Sequence, residues 1–207
     1  KYYCNETSYT HKLDTAFKNI IKVFIRGYAK NPQHARYCEK SQLFSLKIKL
    51  LKRIFPDAKF ILVLRNPYAI CFRIAKKNYE AMSSGKITQY SYEEKLTLAA
   101  QHWKNSIQTA LQDLKDINEG YIIKIEDYLK KPEKYIEEIV TYCELPYEGD
   151  LLPAKHQKLP RGSLDTKKWY PLEKEINAKY LKGLSKKHKD IITKEIGKPL
   201  LKKAGYI

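Results

Sequence analysis

Arg65 stands at a point where a chain can hold an anion. It lies within FPDAKFILVLRNPYAICFRIAKK, Phe55–Lys77, which reads as turn, strand, turn and helix. Phe55-Pro56-Asp57-Ala58 supplies the first turn. Lys59–Leu64 (KFILVL) is an apolar, β-branched and aromatic run without alternation, the pattern of a central parallel strand buried on both faces. Arg65-Asn66-Pro67 stops that strand, and proline's preset φ suits the first position of the helix that follows. In open α/β sheets, ligands sit beyond the carboxyl ends of the strands. The free N–H groups of a helix start also draw anions. Arginine at such an edge predicts a phosphate or sulfate site.

The surrounding elements must present that arginine. Ala16–Ala29 places Phe17, Ile20, Ile21, Phe24 and Tyr28 at a helical period, and Asn31-Pro32 ends it. Ser41 is positioned to cap a second helix running through Phe55. Pro67–Lys77 forms a third helix, and Glu80–Tyr90 is polar and small enough to be a loop. Ser91 with Glu94 makes a capping box for the longest helix, to about Ile117, with Trp103 on its inner face. Tyr121–Ile125 reads as a second buried strand and Pro132–Cys143 as another helix. Leu145–Trp169 is rich in Pro and Gly and predicts irregular chain, before helical stretches at Leu172–Leu184 and Lys186–Lys203. Strands alternating with helices imply a parallel α/β sheet.

With these elements in place, a resemblance emerges. FPDAKF followed by apolar residues and Arg65-Asn66-Pro67 resembles the 3′-phosphate-binding segment of sulfotransferases that use PAPS (3′-phosphoadenosine 5′-phosphosulfate). Glu39-Lys40-Ser41, Trp103, Ile123–Pro132 (IKIEDYLKKP), Cys143–Tyr147 (CELPY) and Lys158–Trp169 (KLPRGSLDTKKW) resemble further family segments in the family's order. The likeness runs from about residue 38 to the C-terminus. It implies a P-loop-like three-layer sandwich, an α/β fold with a parallel sheet flanked by helices. It also implies sulfuryl transfer from PAPS to a hydroxyl or amine, with a general base and release of PAP, and no metal.

The same resemblance assigns cofactor-binding roles. Arg65 matches the arginine that forks onto the 3′-phosphate. Arg73 stands where the family has a serine, so it either adds a charged contact or fills the pocket. Lys77 matches a second basic contact in tyrosylprotein-type members. Ile125 replaces a tyrosine that packs on adenine, and Arg161 with Gly162 resembles the stretch closing over the 3′-phosphate. Glu126 and Asp127 read as caps of the following helix rather than catalytic acids. No catalytic base is identifiable. No G-x-T/S-x-T or G-x-x-x-x-G-K pattern precedes Arg65. The expectation is therefore a single domain over residues 1–207 that lacks its N-terminal phosphosulfate loop. The alternative is a catalytically degenerate relative that binds a nucleotide or an anionic glycan.

Composition narrows the partners. The 40 Lys and Arg against 23 Asp and Glu give a formal net charge of +17, more than a PAPS cleft needs. The surplus suits an anionic acceptor such as an acidic glycan or a lipid, unless it reflects only the Lys-rich coding of an AT-rich genome. The basic residues run along the whole chain rather than in one stripe, which argues against nucleic acid. No apolar run approaches the roughly 18 residues needed for a transmembrane span. Cys4, Cys38, Cys71 and Cys143 lack metal-ligand spacing, and Cys71 and Cys143 read as small apolar residues within helices. Those features point to a cytoplasmic protein, or to the Golgi lumen if the chain comes from a membrane-anchored eukaryotic member.

Overall fold

The computed structural model describes residues 11–83, 90–147, 149, 151–152, 172 and 174–207. Two compact units divide the chain. One comprises Lys1–Phe60 with Thr109–Glu119, the other Ile61–Gln108 with Gly120–Ile207.

The first unit is helical. Helix α1 (His11–Tyr28) packs against α2 (Ile48–Ile54), and Asp14 pairs with Arg53 at 3.3 Å. The helix expected from Ser41 to Phe55 is divided. Ser41 Oγ caps a 3₁₀ turn, Gln42–Leu46, and Lys47 (φ −136°) separates that turn from α2. Ile48, Leu50 and Ile54 are buried, as are Ala110, Leu111 and Leu114 of the unit's other segment. Lys49 pairs with Asp116, and Lys52 with Glu119.

The second unit carries the sheet. Strand β1 (Ile61–Leu64) pairs in parallel with β2 (Tyr121–Lys124), Leu64 opposite Lys124. Burial on both faces, expected from the unbroken apolar run, is not what β1 shows. Leu62 and Leu64 are buried, whereas Ile61 and Val63 remain 39% and 55% exposed. The run encodes β propensity, but among the described residues β1 pairs with β2 alone and its outward side chains meet no covering layer. Ile125 is likewise not strand, because the chain turns there into α5 (Ile125–Lys130).

Helix α3 (Pro67–Ser83) begins at Pro67 as expected and runs six residues beyond Lys77, taking in the start of the anticipated loop. Helix α4 (Tyr92–Asp116) opens on the Ser91–Glu94 capping box. Glu94 N–H donates to Ser91 Oγ at 3.2 Å, and Ser91 N–H to Glu94 Oε2 at 2.6 Å. Helix α6 (Pro132–Tyr142) follows α5 and packs against it. Of the predicted Leu172–Leu184 helix, the structure shows a turn at 174–177 and a short α7 (Ala178–Lys182). The final helical stretch is broken at Gly197 (φ +86°) into α8 (Lys186–Ile196) and α9 (Lys198–Lys203). Leu96, Trp103, Ile123, Leu129, Ile192, Ile196 and Leu201 are among the buried side chains of this unit. The parallel α/β class expected from the sequence is the class observed. No helix among the described residues is long and apolar enough to cross a membrane.

Candidate active site

The site grows from the ends of the two strands. Because Leu64 lies opposite Lys124 in a parallel pair, the next residues, Arg65 and Ile125, leave the sheet side by side at its carboxyl edge. Asn66 then starts α3, its side-chain oxygen accepting from Ala69 N–H at 3.2 Å while Pro67 takes the first helical position.

Glu126 joins this edge to the end of the chain. Its Oε1 accepts from Asn66 N–H at 2.8 Å and from Asn177 Nδ2, and its Oε2 accepts from Tyr206 O–H at 3.2 Å. Asn177, only 6% exposed, uses its own oxygen to accept from Arg65 Nε at 2.8 Å. Arg65 Nη2 donates to the Ile176 carbonyl at 3.2 Å, and its guanidinium carbon lies 5.8 Å from the centre of the Tyr180 ring. The arginine plane is thus held along one edge by the segment that leads into α7. Burial and the neighbouring Glu126 charge push the Tyr206 hydroxyl well above the usual phenol range, so it remains a donor to Glu126. Tyr206 also meets Trp103 edge-on at 6.4 Å, which makes Trp103 part of the packing behind the site.

Two expectations change. Donors at the α3 start were expected to serve an anion, yet Asn66 N–H is bonded to Glu126 and Ala69 N–H to Asn66. Two of the N–H donors at this edge are therefore already partnered within the chain. Glu126, read as a cap for the following helix, instead bonds to three segments, and neither α5 nor α6 has a side-chain cap. Asp127 lies beside it, pairing with Lys124 at 3.3 Å and Lys130 at 3.6 Å.

Arg73 is half-buried on α3, six residues from Pro67 or about 9 Å along the axis. Lys77 is exposed one turn beyond it, and Ile125 is half-buried at the start of α5. The structure brings Arg65 and Ile125 to one edge; Arg73 and Lys77 lie further along α3. Arg161 and Gly162 fall outside the described residues. Asn177 and Tyr206 escaped the sequence reading. Nothing around Asn177 distinguishes it from a surface amide, and only Tyr206's place as a lone aromatic near the terminus marks it out. Among the described residues, no three His, Cys, Asp or Glu side chains group so as to hold a metal ion.

Comparison with known proteins places this geometry in a family. The pattern of the Sulfotransferase family matches residues 3–149. Two nematode proteins provisionally named protein-tyrosine sulfotransferases, from Caenorhabditis elegans and Caenorhabditis briggsae, are each 24% identical over 153 residues. The matched region covers 72% of this chain, and 55% and 51% of the two relatives, so the chain spans about half their length. A sulfotransferase domain from the curacin biosynthetic pathway superposes with a TM-score of 0.57 at 18% identity, covering 87% of this chain and 72% of that one. That likeness supports the fold alone. With well over half of its length matching the family pattern, the chain belongs to the sulfotransferase family.

Proposed function

We propose that this chain forms the 3′-phosphate-binding part of a PAPS-dependent sulfotransferase. The observation that carries the reading is Arg65, held at a parallel strand's carboxyl edge by Asn177 and Ile176 in a chain of this family. PAPS would supply the activated sulfuryl group. Arg65 would grip the 3′-phosphate, a role that rewards a fixed guanidinium plane. Ile125, leaving the neighbouring strand, offers an apolar surface for the adenine in place of an aromatic stack. Arg73 and Lys77 add positive charge along α3, and Arg161 with Gly162 would close over the phosphate.

Glu126 acts in this scheme as a brace. With three donors on its two oxygens, it holds the Arg65–Asn66 turn, Asn177 and Tyr206 in register and is a poor candidate for the general base. The names of the nematode relatives put a tyrosine hydroxyl first among acceptors to try, ahead of an anionic glycan or lipid. Transfer of labelled sulfate from PAPS to a tyrosine-containing acidic peptide, by the gene's full product, tests the enzyme reading. A second reading, a non-catalytic relative binding a nucleotide or anionic glycan, is favoured by Arg73 and Ile125 replacing a serine and a tyrosine. PAP binding without transfer to any acceptor class would select it.

A further inference from the structure

Helix α1 carries a face that its own unit leaves open. At 100° per residue, Asp14, Lys18, Ile21 and Ile25 share the side turned toward the unit, all four part-buried, with Asp14 tied to Arg53. Phe17, Ile20, Val23, Phe24 and Tyr28 form a neighbouring stripe that is exposed, Val23 at 68% and Tyr28 at 86%. Phe24 and Tyr28 stack within that stripe, their ring centres 6.3 Å apart. Along its far edge, beyond Val23, run Asn19, Lys22 and Arg26, all exposed.

We infer that this face of α1 docks in the interface of an anionic lipid bilayer. A helix with bulky apolar residues on one face and lysine and arginine beside them lies in the headgroup layer, its basic side chains reaching anionic lipid. Charge complementarity selects this occupant, since the charged side chains of the exposed flank, Lys22 and Arg26, are both basic and the chain carries a net +17. A second copy would bring two basic flanks together, which like-charge repulsion opposes. A partner that wraps the helix all round would have to strip α1 from α2 and break the Asp14–Arg53 pair. A bilayer is one-sided and takes the open face while the helix stays seated. This inference is independent of the nucleotide site.

Sedimentation of the full chain with vesicles tests it, using equal parts phosphatidylserine and phosphatidylcholine against phosphatidylcholine alone. The chain is expected to sediment with the anionic vesicles and to stay largely in solution with the neutral ones. Replacing Val23→Asp with Phe24→Asp, or Lys22→Gln with Arg26→Gln, is expected to weaken binding roughly tenfold or more. All four side chains are solvent-facing, and circular dichroism checks that helix content is kept. Equal binding by the Val23/Phe24 variant would overturn the proposal, reducing the attraction to diffuse charge. So would failure of the parent chain to bind. A dimer in sedimentation velocity that the same variant dissociates would assign the face to a second copy instead.

Discussion

An arginine on a mobile side chain gives up rotamer freedom each time it grips a phosphate, a cost of up to about 2 kcal/mol. Here much of that ordering is made in advance. Asn177 fixes Nε, Ile176 fixes Nη2, and Glu126 fixes Asn177. Asn177→Ala should therefore weaken PAP binding by roughly tenfold, and destabilise the fold by roughly 1–3 kcal/mol because Glu126 and Arg65 each lose a partner. Glu126→Gln keeps the shape but reverses one donor–acceptor match, so the two losses should fall together. Calorimetry and thermal melts measure both; unchanged PAP affinity in a destabilised variant would separate the brace from the site. Burial also sets cysteine reactivity. Burial pushes the Cys71 thiol up to about 12 and leaves it no exposed surface, whereas Cys38 is exposed. In the folded protein iodoacetamide should label Cys38 and spare Cys71 until denaturant is added, as peptide mass mapping would show. Arg65 was legible in the sequence because a strand end and a proline flank it. Asn177 lies 112 positions away, and no local pattern encodes a partner brought there by tertiary folding.

At the scale of elements, the signals that survived are those with a local physical cause. The Ser91–Glu94 box and Pro67 at a helix start act through bonds made within one turn. Burial of β1 depends on which layers cover it, and apolar composition alone does not report that. The break at Gly197 was visible as a glycine two residues before Pro199, yet the periodicity on either side obscured it. Helices α3 and α7 meet closely, because a Cβ on Gly183 would lie 2.6 Å from the tip of the Phe72 ring. Gly183 has an ordinary φ of −81°, so the obstacle is the ring and not the backbone. Gly183→Ala should cost roughly 1–3 kcal/mol. Much of that loss should return in a Phe72→Leu background, and strictly additive melting shifts would contradict the contact.

For the whole molecule, surface carboxylates set the response to acid. Glu93 is held below its ordinary 4.5 by hydrogen bonding to Lys187, Glu94 by the Ser91 N–H, and Glu138 by the Tyr121 hydroxyl. Asp116 is held below its ordinary 3.8 chiefly by Lys49. A carboxyl lowered on folding stabilises the native state above its unfolded value, and that contribution disappears as pH falls through the folded one. Growing positive charge on a chain already at +17 acts in the same direction. The melting temperature should thus be level above about pH 5 and fall steadily below it; a rise on acidification would contradict these pairings.

Calorimetric titration of the full-length gene product with PAP, with ATP as control, tests whether the braced Arg65 forms a 3′-phosphate site. Micromolar PAP binding, far weaker ATP binding, and a loss of at least about 30-fold in Arg65→Ala are the predicted results. Equal affinity for PAP and ATP, or an Arg65→Ala protein that binds PAP as the parent does, would contradict it.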